Sequence, residues 1–176
     1  MSGETDSRPK LHIYLEGDDD PEKCTARRLE KEGVAVLYDK IDRMPYGTLL
    51  DPYAEKALSP EDDPPLVAVD ASWVSAESIY RSIEGQYSGN LRSLPFLIAA
   101  NPVNYGTAYE LNTAEALAAA LYITGEKRYA REVMDMFSYG EAFLKLNHQI
   151  LNRYADCGNS EEVVEVQEEI RELVDD

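Results

Sequence analysis

A chain of 176 residues, 44% of them hydrophobic, has the apolar material for one compact domain or two small lobes on one core. Its formal net charge of −17, from 34 acidic against 17 basic residues, argues on its own against a nucleic-acid partner held through phosphates. No apolar run approaches the roughly 18 residues that span a bilayer, and Met1 to Lys10 is polar with no signal-peptide core.

A cytoplasmic protein is therefore expected. Two cysteines, Cys24 and Cys157, and two histidines, His12 and His148, are too few and too scattered for a disulfide framework or a zinc site. The acid is unevenly spread. Residues 160–176 hold eight acids and one base, Glu16, Asp18, Asp19, Asp20 and Glu22 form a second cluster, and lysines number only seven. Such a surface fits a salt-adapted organism. At ~1 M salt, charge is screened within about 3 Å, so a few well-placed bases can still hold RNA at short range.

In chain order, residues 11–15 form the first short apolar run and read as a buried strand. Residues 24–32 read as a helix ending at Gly33, a suitable C′ residue, and Lys23, Arg27, Arg28 and Lys31 put four bases in nine positions. Runs 34–38, 66–70 and 96–101 read as three more strands, with a helix over 72–83 and loops at 62–65 and 85–90. The alternation predicts an α/β layer with largely parallel pairing. Helices then follow at 113–124, closed by Gly125, and at 127–137, 140–154 and 160–174. The expected division is an α/β lobe over 1–92 and a mainly helical lobe over 93–176, forming one compact unit.

Two of these strands run into a polar residue, Asp70 and Asn101, and ligands in α/β sheets bind at carboxyl strand ends. Asp70 is equally suited to capping the next helix. Asn112 and Glu115 have the spacing of a capping box, and the helix start behind them favours an anion or a carboxylate. The following helix is small-residue on every face, which suits an element clasped by other segments. The bland alternative is simply a good helix former.

The block Arg92-Ser93-Leu94-Pro95-Phe96-Leu97-Ile98-Ala99-Ala100-Asn101-Pro102-Val103-Asn104-Tyr105-Gly106 continues through Tyr109-Glu110-Leu111-Asn112-Thr113-Ala114-Glu115 to Leu121. It resembles the signature of the small-subunit rRNA aminocarboxypropyltransferases. Lys23-Cys24-Thr25, Leu58-Ser59-Pro60-Glu61-Asp62 and Asp70-Ala71-Ser72-Trp73 match in the same order, so the likeness spans roughly residues 11–154. The resemblance implies a SPOUT-like α/β sheet with a trefoil knot in its first part, a rare exception to chain-threading rules. It also implies S-adenosylmethionine as aminocarboxypropyl donor, N3 of a modified uridine in small-subunit rRNA as acceptor, and a monomer.

Carried over by position, Leu58, Pro60 and Trp73 hold adenine, and Thr25 approaches the ribose or the sulfonium. Leu94 packs on the ligand, and Tyr109 and Thr113 meet its amino acid end. Lys23, Arg27 and Arg28 contact RNA phosphates. Departures from the family pattern are Asp19 and Ala71 where cysteines are common, Ala26 where glycine is frequent, and Asp63 where a base is usual. Neither missing cysteine can be essential, and Asp63 removes a possible RNA contact.

A sulfonium leaving group needs no acid, so positioning is expected to carry most of the acceleration. The pocket should bury the donor's methyl and expose the longer carbon chain. Asp70 is the one candidate base for the uridine N3 proton. Cys24 reads as a packing residue, and His12 and His148 as structural. The acidic helix at the end of the chain should repel RNA and lie away from the cleft. A methyltransferase of the same fold and a non-catalytic ribosome assembly factor are the competing readings.

Overall fold

The computed structural model describes residues 10–16, 25–71 and 73–175, with the side chains of Trp73 and Val74 outside the description. Lys23 and Cys24 also lie outside the described residues. Five strands, β1 (Leu11–Leu15), β2 (Ala35–Tyr38), β3 (Thr48–Leu50), β4 (Leu66–Asp70) and β5 (Asn90–Arg92), form one sheet in the order β2-β1-β4-β3-β5. Every pairing is parallel, as the strand–helix alternation predicts.

Side chains alternate across the sheet, as the two-residue strand period requires. Leu11, Ile13, Ala35, Leu50, Leu66 and Ala68 enter the larger core, while Leu49 and Val67 face Met44 and Ile83 on the other side. Ile83 belongs to α2 (Trp73–Gln86), which covers that second face. The first face carries α1 (Thr25–Lys31) and α3 (Thr113–Ile123). Both faces are thus covered, the usual condition of a parallel sheet. Helices α4 (Lys127–Met134), α5 (Gly140–Ala155) and α6 (Ser160–Asp175) complete the chain. The larger core runs from Leu11 to Tyr154 and Ile170, so the two halves share it.

Helix α3 sits at the centre, against α1, α4, α5 and β4. Ala114, Ala118, Ala119 and Ala120 are buried there and let those neighbours close in, while Leu117, Leu121 and Ile123 are fully buried. Each of these larger side chains contributes about 1.5–3 kcal/mol by leaving water. Among the described residues no helix is long and apolar enough to cross a membrane.

Two expectations change. Residues 96–101 are not a strand of the sheet; they form an irregular thread with one isolated antiparallel bridge, Ile98 to Ala108. The sheet is instead completed beyond β4 by β3 and, at the edge, β5, three residues each. Gly47 permits that edge: a Cβ there would lie 2.2 Å from the Pro65 carbonyl oxygen. His12 has its Nδ1 2.8 Å from the Tyr38 hydroxyl on the neighbouring strand, with burial lowering its pKa. His148 is exposed.

Candidate active site

The sheet's carboxyl edge is laced together by backbone. Asp70 ends β4 opposite Leu15 of β1, and its carbonyl accepts the Glu16 N–H at 3.0 Å. On the other side the Arg92 carbonyl accepts the Asp51 N–H at 2.8 Å. The chain leaving β3 folds back along the end of β5, where the Leu58 N–H donates to Ser93 at 2.8 Å and the Ser93 N–H to Lys56 at 2.9 Å. A tight turn follows, closed by the Asp62 carboxylate accepting the Ser59 N–H at 2.9 Å. The other Asp62 oxygen accepts Arg92 Nε at 2.9 Å, in an ion pair only 15% and 5% exposed. Losing either partner leaves a poorly solvated charge, so the pair fastens the turn to the sheet.

This turn carries Leu58 and Pro60. The Leu58 side chain is fully buried and its N–H is committed to Ser93, so a ligand contact there runs through its carbonyl. Pro60 is half-buried. Between them the Ser59 hydroxyl is buried with no hydrogen-bond partner, the kind of orphaned group that a nucleoside could satisfy. The residues present fit an adenosyl group at this turn.

The candidate residues Leu94, Tyr109 and Thr113 lie on the thread over residues 94–113. Buried backbone requires partners, and where sheet neighbours are lacking, helix side chains supply them. Phe96 donates its N–H to Gln167 of α6 at 2.8 Å and accepts the Tyr154 hydroxyl of α5 at 2.9 Å. Asn147 of α5, fully buried, accepts the Ile98 N–H and donates to the Ile98 carbonyl, both at 2.8 Å, as a neighbouring strand would. Glu115, also fully buried, accepts from Ala100 N (2.7 Å), Asn101 N (3.0 Å), Asn101 Nδ2 (2.7 Å) and Asn112 N (3.0 Å). Its own N–H donates to Asn112 Oδ1, so the expected capping box is present, with an additional grip on the thread.

Tyr109, on the returning limb, has φ +67°, a left-handed backbone rare outside glycine and seen where surroundings over-determine it. Its ring meets Phe96 edge-on at 5.5 Å and its hydroxyl lies 3.5 Å from Gln167. Helix α6, the acidic helix, therefore reaches this limb, with Gln167 bonding both Phe96 and Tyr109.

The start of α3 is tied to α1 through Tyr139. The Asn112 amide donates to the Tyr139 hydroxyl at 2.6 Å, and Thr25 hydrogen-bonds the same phenol. Burial raises the Tyr139 pKa, and the Asn112 bond opposes that rise. Phe137 lies 5.5 Å from the Tyr139 ring and has the Arg28 guanidinium 5.1 Å from its centroid.

The structure thus joins Thr25, Asn112, Thr113 and Arg28 in one neighbourhood, and separately brings Leu58 beside Ser93, the residue before Leu94. Leu94 and Thr113 are half-buried, Tyr109 is 48% exposed, and Arg27 is half-buried and engaged. Trp73 opens α2 two residues beyond Ala71, with its side chain outside the description; Asp70 is half-buried and also engaged.

Asp51 was not foreseen. It is 1% exposed, with one oxygen on the Tyr53 N–H at 2.8 Å and the other without a donor. Burial, against the pull of the Tyr53 N–H and with Glu84 nearby, pushes its carboxyl up to about 6. Tyr80 is raised too, by burial first and then by Asp51 and Asp70. Asn147 and Gln167 were missed as well, although each leaves a sequence signal: an amide standing on the apolar stripe of Phe143, Leu151 and Tyr154, or of Val163 and Ile170. A shallow groove of about 590 Å³ between Lys56 and the start of α6 is lined by Glu55, Glu161 and Glu165, a charge unsuited to a phosphate.

Residues 48–171 match the family model "Ribosome biogenesis protein, C-terminal". The chain is 51% identical over 160 residues to the 16S rRNA aminocarboxypropyltransferase of Halobacterium salinarum, covering 90% of this chain and 94% of that protein. It is 47% identical over 171 residues to the enzyme of the same name from Methanosarcina acetivorans, covering 95% and 98%. Among solved structures, the SAM-dependent rRNA:acp-transferase Tsr3 from Vulcanisaeta distributa superposes with a TM-score of 0.80 at 36% identity, over 96% of this chain and 99% of that one.

Proposed function

Because the chain belongs to the 16S rRNA aminocarboxypropyltransferase family, we propose that it transfers the 3-amino-3-carboxypropyl group of S-adenosylmethionine to N3 of a modified uridine in 16S rRNA. The observation that carries the residue assignment is the Tyr139 bridge. Thr25 and Asn112, the latter next to Thr113, meet on one phenol, which brings near each other two positions, Thr25 and Thr113, that the family likeness assigns to the donor.

The donor supplies an activated carbon on a sulfonium, with a neutral thioether as leaving group. The chain's own work is then positional. The carbonyls around Leu58 and Pro60, with Trp73, hold the adenine, and the Ser59 hydroxyl lies within that turn. Thr25 faces the ribose or sulfonium side, Leu94 packs against the ligand, and Tyr109 and Thr113 orient the amino acid end. The exposed Arg28, with Arg27 and Lys23, binds RNA phosphates. Asp70 takes the proton that leaves N3; Asp70→Asn should then lower the transfer rate at unchanged cofactor affinity, whereas a purely capping role would lower stability instead.

The SPOUT-type description, with a trefoil knot in the first part, belongs to the same proposal. It is supported by the whole-length likeness to the Vulcanisaeta enzyme. A monomer working in a salt-rich cytoplasm completes the reading.

The test is mass spectrometry of 16S rRNA incubated with the protein and S-adenosylmethionine, and of rRNA from a strain lacking the gene. An aminocarboxypropyl-sized gain that the deletion abolishes is expected. A methyl-sized gain would make the protein a methyltransferase, and no gain together with no cofactor binding would leave an assembly factor. Trp73→Ala should weaken cofactor binding, and unchanged affinity would remove the adenine assignment.

A further inference from the structure

The loop at the tip of the thread combines two properties that seldom occur together. Val103 is 88% exposed and Tyr105 64% exposed, and Tyr109 follows at 48%. Among the described residues, Val103 is the most exposed large apolar side chain. Isolated apolar residues on a surface need no explanation, but a cluster on one loop marks a contact surface.

The second property is rigidity. Asn101 Oδ1 accepts the N–H groups of Val103 (3.2 Å) and Asn104 (3.0 Å), and Asn101 Nδ2 reaches Glu115 and the Glu110 carbonyl. Thr107 donates to the Asn104 carbonyl at 3.0 Å, and Gly106 donates to Ala99 at 2.7 Å. Gly106, at φ +82°, makes the reversal between the limbs. Beneath the tip, the four donors on fully buried Glu115 fix both limbs to α3. Surface side chains on a frame this determined lose little backbone freedom when something docks on them.

The tip is the solvent end of the loop whose limbs carry Leu94 on one side and Tyr109 and Thr113 on the other. Resting on the function proposed above, we propose that Tyr105, with Val103 beside it, is a stacking platform for an unpaired nucleobase next to the acceptor uridine.

Three considerations select that occupant. N3 lies on the Watson–Crick edge and is blocked in a duplex, so the acceptor must be presented unpaired, with neighbours that have lost stacking partners. An aromatic face replaces such a partner whatever the base. In a chain of net charge −17 phosphate contacts are few, and stacking is the term that survives high salt.

The experiment titrates a labelled 16S rRNA fragment containing the acceptor loop into the full-length protein at low and high salt. Tyr105→Ala should weaken RNA binding roughly five- to a hundred-fold, the range of one base–aromatic stack. That loss should persist at high salt, with cofactor affinity and denaturation midpoint unchanged. Tyr105→Trp should retain binding, and Val103→Ser should cost less than Tyr105→Ala. Wild-type RNA affinity and wild-type KM for RNA in Tyr105→Ala would overturn the platform. If the wild-type protein binds the fragment with this Tyr105 dependence but transfers nothing, the platform stands and the proposed chemistry falls. Failure of the wild-type protein to bind the fragment would overturn both.

Discussion

Replacing Glu115 by Gln changes one atom of a side chain with no exposure, so its cost can be worked from the hydrogen bonds alone. Each carboxylate oxygen serves two donors: Oε2 takes Ala100 N and Asn101 N, and Oε1 takes Asn101 Nδ2 and Asn112 N. The amide retains one accepting oxygen, and its NH2 must face two N–H donors. Rotating the Asn101 amide offers no escape, because its Oδ1 already serves Val103 and Asn104. Two charge-assisted bonds are lost and two buried donors are stranded, at about 3–5 kcal/mol in all. That is a large share of the roughly 5–15 kcal/mol by which domains are stable. Equilibrium denaturation should show this loss, and amide exchange at Ala100, Asn101 and Asn112 should accelerate well beyond the global change. Glu110→Gln, an exposed acid on the same loop, should stay within about 0.5 kcal/mol of wild type. A loss below about 1 kcal/mol for Glu115→Gln, with exchange at the three amides unaltered, would refute the idea that this carboxylate organises the thread.

Asn147→Leu, close to isosteric, should cost about 2–4 kcal/mol in denaturation experiments, because it strips both backbone groups of Ile98 of their partners. Gln167→Leu should raise the Kd for S-adenosylmethionine by loosening Phe96 and Tyr109, while Gln167→Glu, which keeps the acceptor, should stay near wild type in calorimetry. Asp51, raised from 3.8 to about 6, binds more protons folded than unfolded across that interval, so its contribution to stability is greatest below pH ~4 and is lost as pH rises through 6. Asp51→Asn should therefore gain roughly 1–2 kcal/mol at about pH 7.5 and almost nothing at about pH 4; a gain independent of pH would contradict the assignment. Charge reversal of Arg27 and Arg28 to Glu should weaken RNA binding and lower its salt slope by about 1 per lost phosphate contact, with cofactor affinity unchanged.

What the linear chain determined by itself was whatever short-range physics dictates. The runs that became β1, β2 and β4 are apolar enough to be strands in any context, and the α3 capping box is a matter of four consecutive residues. The family motifs are likewise local strings, which is why the resemblance could be read before any coordinate. What tertiary structure decided were the partnerships between distant positions. β3 and β5 are three residues each and become strands only because a neighbour's ladder is there to meet them. Residues 96–101 looked like a strand because they are apolar, but their hydrogen bonds went to the returning limb at residues 106–109 and to Asn147, Tyr154, Gln167 and Glu115 on three helices. The Tyr139 link from Thr25 to Asn112 spans most of the chain. Hydrophobic period reports that a residue is buried. It cannot report which distant polar group will satisfy the backbone that burial takes from water.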